Sequence, residues 1–213
     1  MSFFKKIFNK SEKEQRKLTA VNQLLTGDII QLTDSFALPE LLRNQQFQVS
    51  SVSSYEYEHN TQTEWTLSGS SNITLFLALE VDDISELKFS IKIEHADVES
   101  LFDLDEFAQI FDEPGNAFLT KKTDTNFTNG WSSDEYQQSV FGRVGYFHRK
   151  DHRSETLSEY EGKDSGEQFE LYNLYNEDQT KAVEIEVWQD GETDVFLTLF
   201  RPMSDIVDMF PGS

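Results

Sequence analysis

Residues Asn72 to Ile93 read NITLFLALEVDDISELKFSIKI, and their alternation decides the fold class. Ile73, Leu75, Leu77, Leu79 and Val81 alternate with Thr74, Phe76, Ala78 and Glu80. After the acidic break Asp82-Asp83-Ile84-Ser85-Glu86, Leu87, Phe89, Ile91 and Ile93 alternate with Lys88, Ser90 and Lys92. Successive side chains of a strand point to opposite faces, so two period-two runs joined by a short polar loop predict a β-hairpin. Phe76 and Ala78 make the first strand apolar on both faces, which predicts a central strand buried on two sides.

The pattern recurs at Lys181 to Phe200, KAVEIEVWQDGETDVFLTLF. Val183, Ile185 and Val187 alternate with Glu184 and Glu186, Asp190-Gly191 suits a primed turn, and Val195, Leu197 and Leu199 resume the alternation. Glutamates on the alternate face predict a half-exposed strand that presents acid to something else.

Working outward, Gly27-Asp28-Ile29-Ile30, the run Phe47 to Tyr57 and Glu64-Trp65-Thr66-Leu67 precede the first hairpin, with Pro39 in the loop between the first two. Gly115-Asn116-Ala117-Phe118, Arg143-Val144-Gly145-Tyr146 and Gln168-Phe169-Glu170-Leu171 stand in the same order before the second. Helices are expected over residues 12–25, where Ser11 and Glu14 have capping-box spacing and Gly27 is the stop, and over 97–112, where Asp103 and Glu106 repeat that spacing. A further short helical stretch is expected from Met203 to Phe210. The expected fold is therefore mainly β, a β-rich α+β chain. It comprises a basic leader (1–26) and two related antiparallel meander units (27–113 and 114–213), each followed by a short helix and with the option of a shared core.

Gly27-Asp28-Ile29-Ile30, Phe47-Gln48-Val49, Tyr55-x-Tyr57 and Glu64-Trp65-Thr66-Leu67 followed by a hairpin resemble the bacterial DUF4178 family, with a weaker second copy around Phe169-Glu170-Leu171-Tyr172. The Leu41-Leu42 segment before Phe47 departs from that family's compact pattern. The resemblance implies small β-rich modules of unassigned activity, often encoded near membrane-stress or polyamine-related genes, and it transfers no catalytic residue.

Composition narrows the function classes. The chain has 213 residues with 18 Phe, 7 Tyr and 3 Trp, enough apolar bulk for a real core. It has no cysteine, which removes disulfides and thiolate chemistry and agrees with a cytoplasmic setting. A formal charge of −21 repels nucleic-acid phosphates, so no nucleic-acid partner is expected. Nothing approaches the roughly 18 consecutive apolar residues of a membrane-spanning helix.

The leader is electrostatically distinct. Lys5, Lys6, Lys10, Lys13, Arg16 and Lys17 against Glu12 and Glu14 give it a local +4 and leave −25 on the rest. Phe3, Phe4, Ile7 and Phe8 share one helical side flanked by Lys5 and Lys6, the pattern of an interfacial helix at the inner membrane. A mobile leader, or one docked on the acidic body, is the competing reading, because so short a helix is marginal alone in water.

Chemical constellations are sparse. His148 and His152 stand four apart, but Arg149, Lys150 and Arg153 repel a cation and no third ligand is evident, so no metal is expected. Asp82-Asp83, Asp103 with Asp105 and Glu106, and Asp134-Glu135 are pairs of the kind expected by chance among 39 acidic residues. There is no phosphate-binding glycine loop, serine elbow or cysteine nucleophile, and no cofactor is expected. Trp131 with Asp134 and Glu135, and Trp188 with Glu184, Glu186 and Asp190, form the candidate acidic and aromatic surface for a cation. Three classes follow: a non-enzymatic adaptor for a basic protein partner, favoured on charge; a binding module for a small cation such as a polyamine; and a carboxylate-based hydrolase.

Overall fold

The computed structural model describes residues 16–70, 73–81, 85–155, 160 and 166–212. Both alternating hairpins are there: β4 (Thr74–Val81) pairs with β5 (Ser85–Ile93), and β9 (Lys181–Trp188) pairs with β10 (Thr193–Pro202). Before them stand β2 (Gln46–Glu56) and β3 (Thr61–Gly69) in the first half, and β7 (Glu135–His148) and β8 (Gly166–Tyr175) in the second. Short strands β1 (Ile29–Leu32), β6 (Phe118–Thr120) and β11 (Ile206–Phe210) complete one antiparallel sheet in the order β11-β1-β2-β3-β4-β5-β10-β9-β8-β7-β6. The fold is mainly β. Strands β1 to β5 and β6 to β10 each lie side by side in sequence order, β11 crosses over to pair with β1, and the two meanders meet where β5 pairs with β10.

One further pairing changes the architecture. β2 also pairs with β7, through Ser54↔His148, Tyr55↔Phe147 and Glu56↔Tyr146. The order β2-β3-β4-β5-β10-β9-β8-β7 thus returns to β2 and closes eight strands into a ring, with β1, β11 and β6 outside it. Closure removes the free edges of those eight strands and forces one face of each to point inward.

Contacts identify the inward face. Tyr55 of β2 and Glu186 of β9 line one small cavity, although in the open strand order these strands are five positions apart, about 24 Å on a flat sheet. Only a curled sheet brings them together. Tyr55, Glu64, Phe76, Lys88, Ser90, Glu184, Glu186 and Phe196 all belong to this face and surround one cavity. The opposite face carries Trp65, Leu67, Leu75, Leu77, Leu87, Phe89, Ile185, Leu197 and Leu199, all buried. They pack against Leu24, Leu38 and Leu42 from the segments around β1, against Val98, Leu101 and Phe102 at α1 (His95–Leu101), and against Ile110 and Trp131. The connections between strands therefore cover the ring's outer face, and its main apolar core lies outside the ring and draws on both halves.

Several expectations are corrected. Within the described part of 12–25 there is only a 3-10 turn, Val21–Gln23. Arg16 bonds the Gln23 carbonyl and pairs with Asp28, whose carboxylate also accepts from Leu25 N–H. These side-chain contacts satisfy backbone groups that a longer helix would have used. The 97–112 helix breaks into α1, α2 (Leu104–Ala108) and a 3-10 turn, Gln109–Phe111. Asp103 caps α2 through the Asp105 and Glu106 amides, but Glu106 does not reciprocate: it accepts from Thr120 N–H at 3.1 Å and ties the helix to β6.

Met203 to Phe210 is a 3-10 turn, Met203–Asp205, followed by β11, because β-branched Ile206 and Val207 find the unpaired edge of β1. Asp190-Gly191 lies in the four-residue loop 189–192, closed by Trp188 N–H to the Glu192 carbonyl, with positive φ at Gly191 alone. The alignment of Trp65 with Phe169 is off by one in facing: Trp65 points outward and Phe169 inward. The leader residues Phe3, Phe4, Lys5, Lys6, Ile7 and Phe8 lie outside the described residues.

Gly145 of β7 is the closest approach in the ring. A Cβ there would sit 2.5 Å from Phe169 Cζ and 3.0 Å from Tyr57 Cε1. Phe169 is buried and pinned by Tyr55 and Trp188 at ring-centroid distances of 5.5 Å each. Gly145→Ala is expected to destabilise by about 1–3 kcal/mol through overpacking, read as a lower urea midpoint at unchanged slope; an unmoved midpoint would show that the aromatic layer yields.

Candidate functional site

The inward face of the ring is layered. Tyr55, Tyr57, Phe147, Phe169, Leu171 and Trp188 form an apolar and aromatic cluster, in which Tyr55 meets Phe147 at 5.0 Å and Phe147 meets Trp188 at 6.0 Å between ring centroids. Beside it sits a charged layer. Lys88 Nζ lies 2.8 Å from Glu184 Oε1; the same carboxylate accepts from Asn173 Nδ2 at 3.2 Å and from Thr198 Oγ1 at 2.8 Å. Ser90 Oγ stands 2.8 Å from Thr198 Oγ1 and, with the Thr198 proton given to Glu184, acts as donor to it. Glu184 is thus fully supplied with donors.

Glu186 is not. It is 6% exposed, and its Oε2 has no hydrogen-bond partner among the described residues. Glu64, half-buried across the ring on β3, makes no ion pair among the described residues either. Burial pushes the Glu186 carboxyl up to about 8, with the Glu64 charge adding to the effect and the Tyr55 hydroxyl and Lys88 opposing it. Burial likewise pushes Glu64 up to about 7, against the pull of Lys88. Burial alone would lower Lys88, but the Glu184 carboxylate outweighs it and holds the ammonium above its usual range. Burial raises the hydroxyls of both Tyr55 and Tyr57.

Between these groups is a cavity of about 20 Å³ lined by Tyr55, Tyr57, Glu64, Lys88, Glu184 and Glu186 among others, room for about one water-sized group. It communicates with a cleft of about 880 Å³ at the ring's mouth, since Tyr55, Glu64, Phe76, Glu186 and Phe196 line both. The cleft has aromatic walls in Phe147, Trp188, Phe76 and Phe196, and a rim of Lys92, Arg149, Glu167, Asp190, Glu192 and Asp194. Two of the rim acids are neutralised, Asp194 by Lys92 at 2.6 Å and Glu167 by Arg149 at 2.9 Å. A cleft of this size with aromatic walls and convergent carboxyls has the make-up of a small-molecule site.

The candidate residues named from sequence divide accordingly. Glu184, Glu186, Trp188 and Asp190 come together at the ring's interior and mouth. Trp131, Asp134 and Glu135 line neither cavity nor cleft: Trp131 is buried in the outer core, while Asp134 and Glu135 are exposed and Asp134 pairs with Lys121. The half-exposed acidic face expected of β9 is also corrected, because Glu184 and Glu186 are both buried inside the ring.

His148 and His152 do face one another, at 4.8 Å between centroids, but His148 Nε2 meets Glu56 Oε2 at 2.9 Å and His152 Nδ1 meets Glu155 Oε2 at 2.9 Å. Among the described residues no group of three or more potential ligands is placed to hold a metal, and no helix is long and apolar enough to cross a membrane. Lys88, Tyr55, Tyr57 and Glu64 were not singled out as site residues. Their signal was the polar alternate positions Lys88-Ser90-Lys92 and Glu64-Thr66 in otherwise apolar strands. No family model, curated protein or solved structure matches this chain.

The raised carboxyls carry a stability signature. A carboxyl whose folded value exceeds its ordinary one near 4.5 stabilises the fold fully below that value, and the contribution is lost as pH climbs through the folded values of about 7 and 8. Glu186→Gln should therefore gain stability relative to the parent between about pH 5 and pH 9, by at most about 1.4 kcal/mol per pH unit. Urea titrations of both proteins at several pH values test this; a constant difference across that range would remove the buried-carboxyl reading.

Proposed function

We propose that this protein is a non-enzymatic binding module for a small organic cation, a primary ammonium group on an alkyl stem. The ammonium sits over Glu186 and Glu64, and the stem lies along Phe147, Trp188 and Phe196 in the mouth cleft. The observation that carries this reading is the buried Glu186 Oε2, which has no donor among the described residues and lies at the floor of an aromatic-walled cleft. A buried acceptor without a partner is costly, and an ammonium supplies three donors and the charge together. Aromatic faces favour an organic cation over a metal ion, because the ring quadrupole attracts ammonium and its adjacent methylenes pack on the ring.

The adaptor reading rests on net charge, and the acidic strand face that would have met a basic partner points into the ring instead. The cation reading therefore uses more of the geometry. Peripheral membrane contact through the leader is a separate proposal that the site neither needs nor opposes.

Calorimetric titration with n-butylammonium and with spermidine tests the reading. Binding is expected to weaken by at least about tenfold in Glu186→Gln, from loss of a charged hydrogen bond, and by roughly two- to tenfold in Trp188→Ala, from loss of the cation–π wall. Affinity that is the same in parent and both variants would place the cation on the acidic exterior and end the proposal.

A further inference from the structure

Among the described residues, four charged side chains line the small cavity, Glu64, Lys88, Glu184 and Glu186, and two of them are committed to each other. Lys88 is held by Glu184 at 2.8 Å, and Glu184 is saturated by Lys88, Asn173 and Thr198. Glu64 on β3 and Glu186 on β9 face the same cavity from opposite sides of the ring and make no ion pair among the described residues. Of the other groups nearby, Arg143 of β7 is exposed and lies over the Tyr57 ring at 4.2 Å, and the rest of the cavity lining carries no positive charge. Tyr55 and Tyr57 from β2 are neutral hydroxyls, and Gln62 on β3 is an amide. Through the cleft, Lys92 is bound to Asp194 and Arg149 to Glu167, while Asp190 and Glu192 add only negative charge.

Two carboxylates in a poorly solvated site repel each other, and without a cation between them at least one must keep its proton. The proton then belongs to the pair and not to either residue alone.

We propose that proton and ligand compete for the Glu64–Glu186 pair. The free protein holds a proton on the pair, and the entering ammonium replaces it. This inference rests on the cation-binding reading above. In the exchange, RNH₃⁺ arrives still protonated, one carboxyl O–H bond breaks, and the proton leaves through the cleft to solvent or buffer. One positive charge enters as another departs, so the interior charge does not change. The pair therefore selects against cations at low pH and loads them as pH rises, and the raised carboxyl values place that transition near neutrality. Below the transition, affinity should fall by up to about tenfold per pH unit.

The test is calorimetry of the full chain with n-butylammonium near neutral pH, in phosphate and in Tris, whose ionisation heats differ widely. The expected result is an observed heat that differs between the buffers in proportion to about one proton released per ligand bound, and affinity that rises with pH until the pair is ionised. Glu64→Gln relieves the repulsion and should reduce the released proton to a fraction while ammonium still binds; if that variant does not fold, the two-buffer comparison on the parent decides alone. Binding with the same heat in both buffers and a flat pH profile would overturn proton exchange and leave the cation site standing. No binding in either buffer, nor at about pH 9 where the pair is ionised, would overturn the site and the exchange together.

Discussion

Three residue pairs between β2 and β7 make this sheet a ring. Antiparallel meanders joined at β5 and β10 would otherwise form an open, twisted sheet with long strands at its edges. At the seam, the tilted rings of Tyr55 and Phe147 pack together on the inside at 5.0 Å between centroids, while Glu56 and His148 form a buried pair at 2.9 Å on the outside. The loop after β7 adds a bond from His152 N–H to Ser54 Oγ at 3.0 Å. Because the seam uses only part of each strand, the rest of β2 is free to pair with β1 and the rest of β7 with β6. Those outer strands and their connections then fold over the ring.

From that closure follows an inverted distribution of polarity. The outer face of the ring is the apolar one and is sealed by α1, the segment around Pro39 and the loop bearing Trp131, with Pro39 meeting Gly130. The inner face is then free to be polar. Its aromatic layer excludes water well enough to lift two glutamates far from their ordinary range, while Lys88 and Glu184 neutralise each other. The fold's main hydrophobic stabilisation is thus separate from its cavity, and the interior can hold uncompensated carboxyl groups without loosening the main core.

The fold is legible in the sequence where its signals are local. Period-two runs found both hairpins and the strands before them, because alternation depends only on strand geometry. Segments whose partners are distant carry no such signal. Ile206 to Phe210 carries a weak helical pattern that the open edge of β1 overrides, and the Arg16–Asp28 pair replaces a predicted helix with a turn. Glu184 and Glu186 stand out in the sequence, but a glutamate on alternate positions has the same pattern on a solvent-facing strand as on a ring interior. Trp131 and Trp188 look alike in sequence because both lie near acidic loops; burial puts one in the outer core and the other at the mouth.

Local order in the chain is enough to specify two antiparallel meanders with apolar stripes and a strongly acidic composition. Backbone periodicity and the hydrophobic effect act through neighbouring residues, so they are written in local order. Which side of those strands faces inward depends on contacts between residues far apart in the chain. The β2–β7 seam joins residues about ninety positions apart, and it brings Glu64 of one half opposite Glu186 of the other. A buried carboxyl pair exists only once two distant strands share a cavity from which water is largely displaced, and no local pattern encodes that.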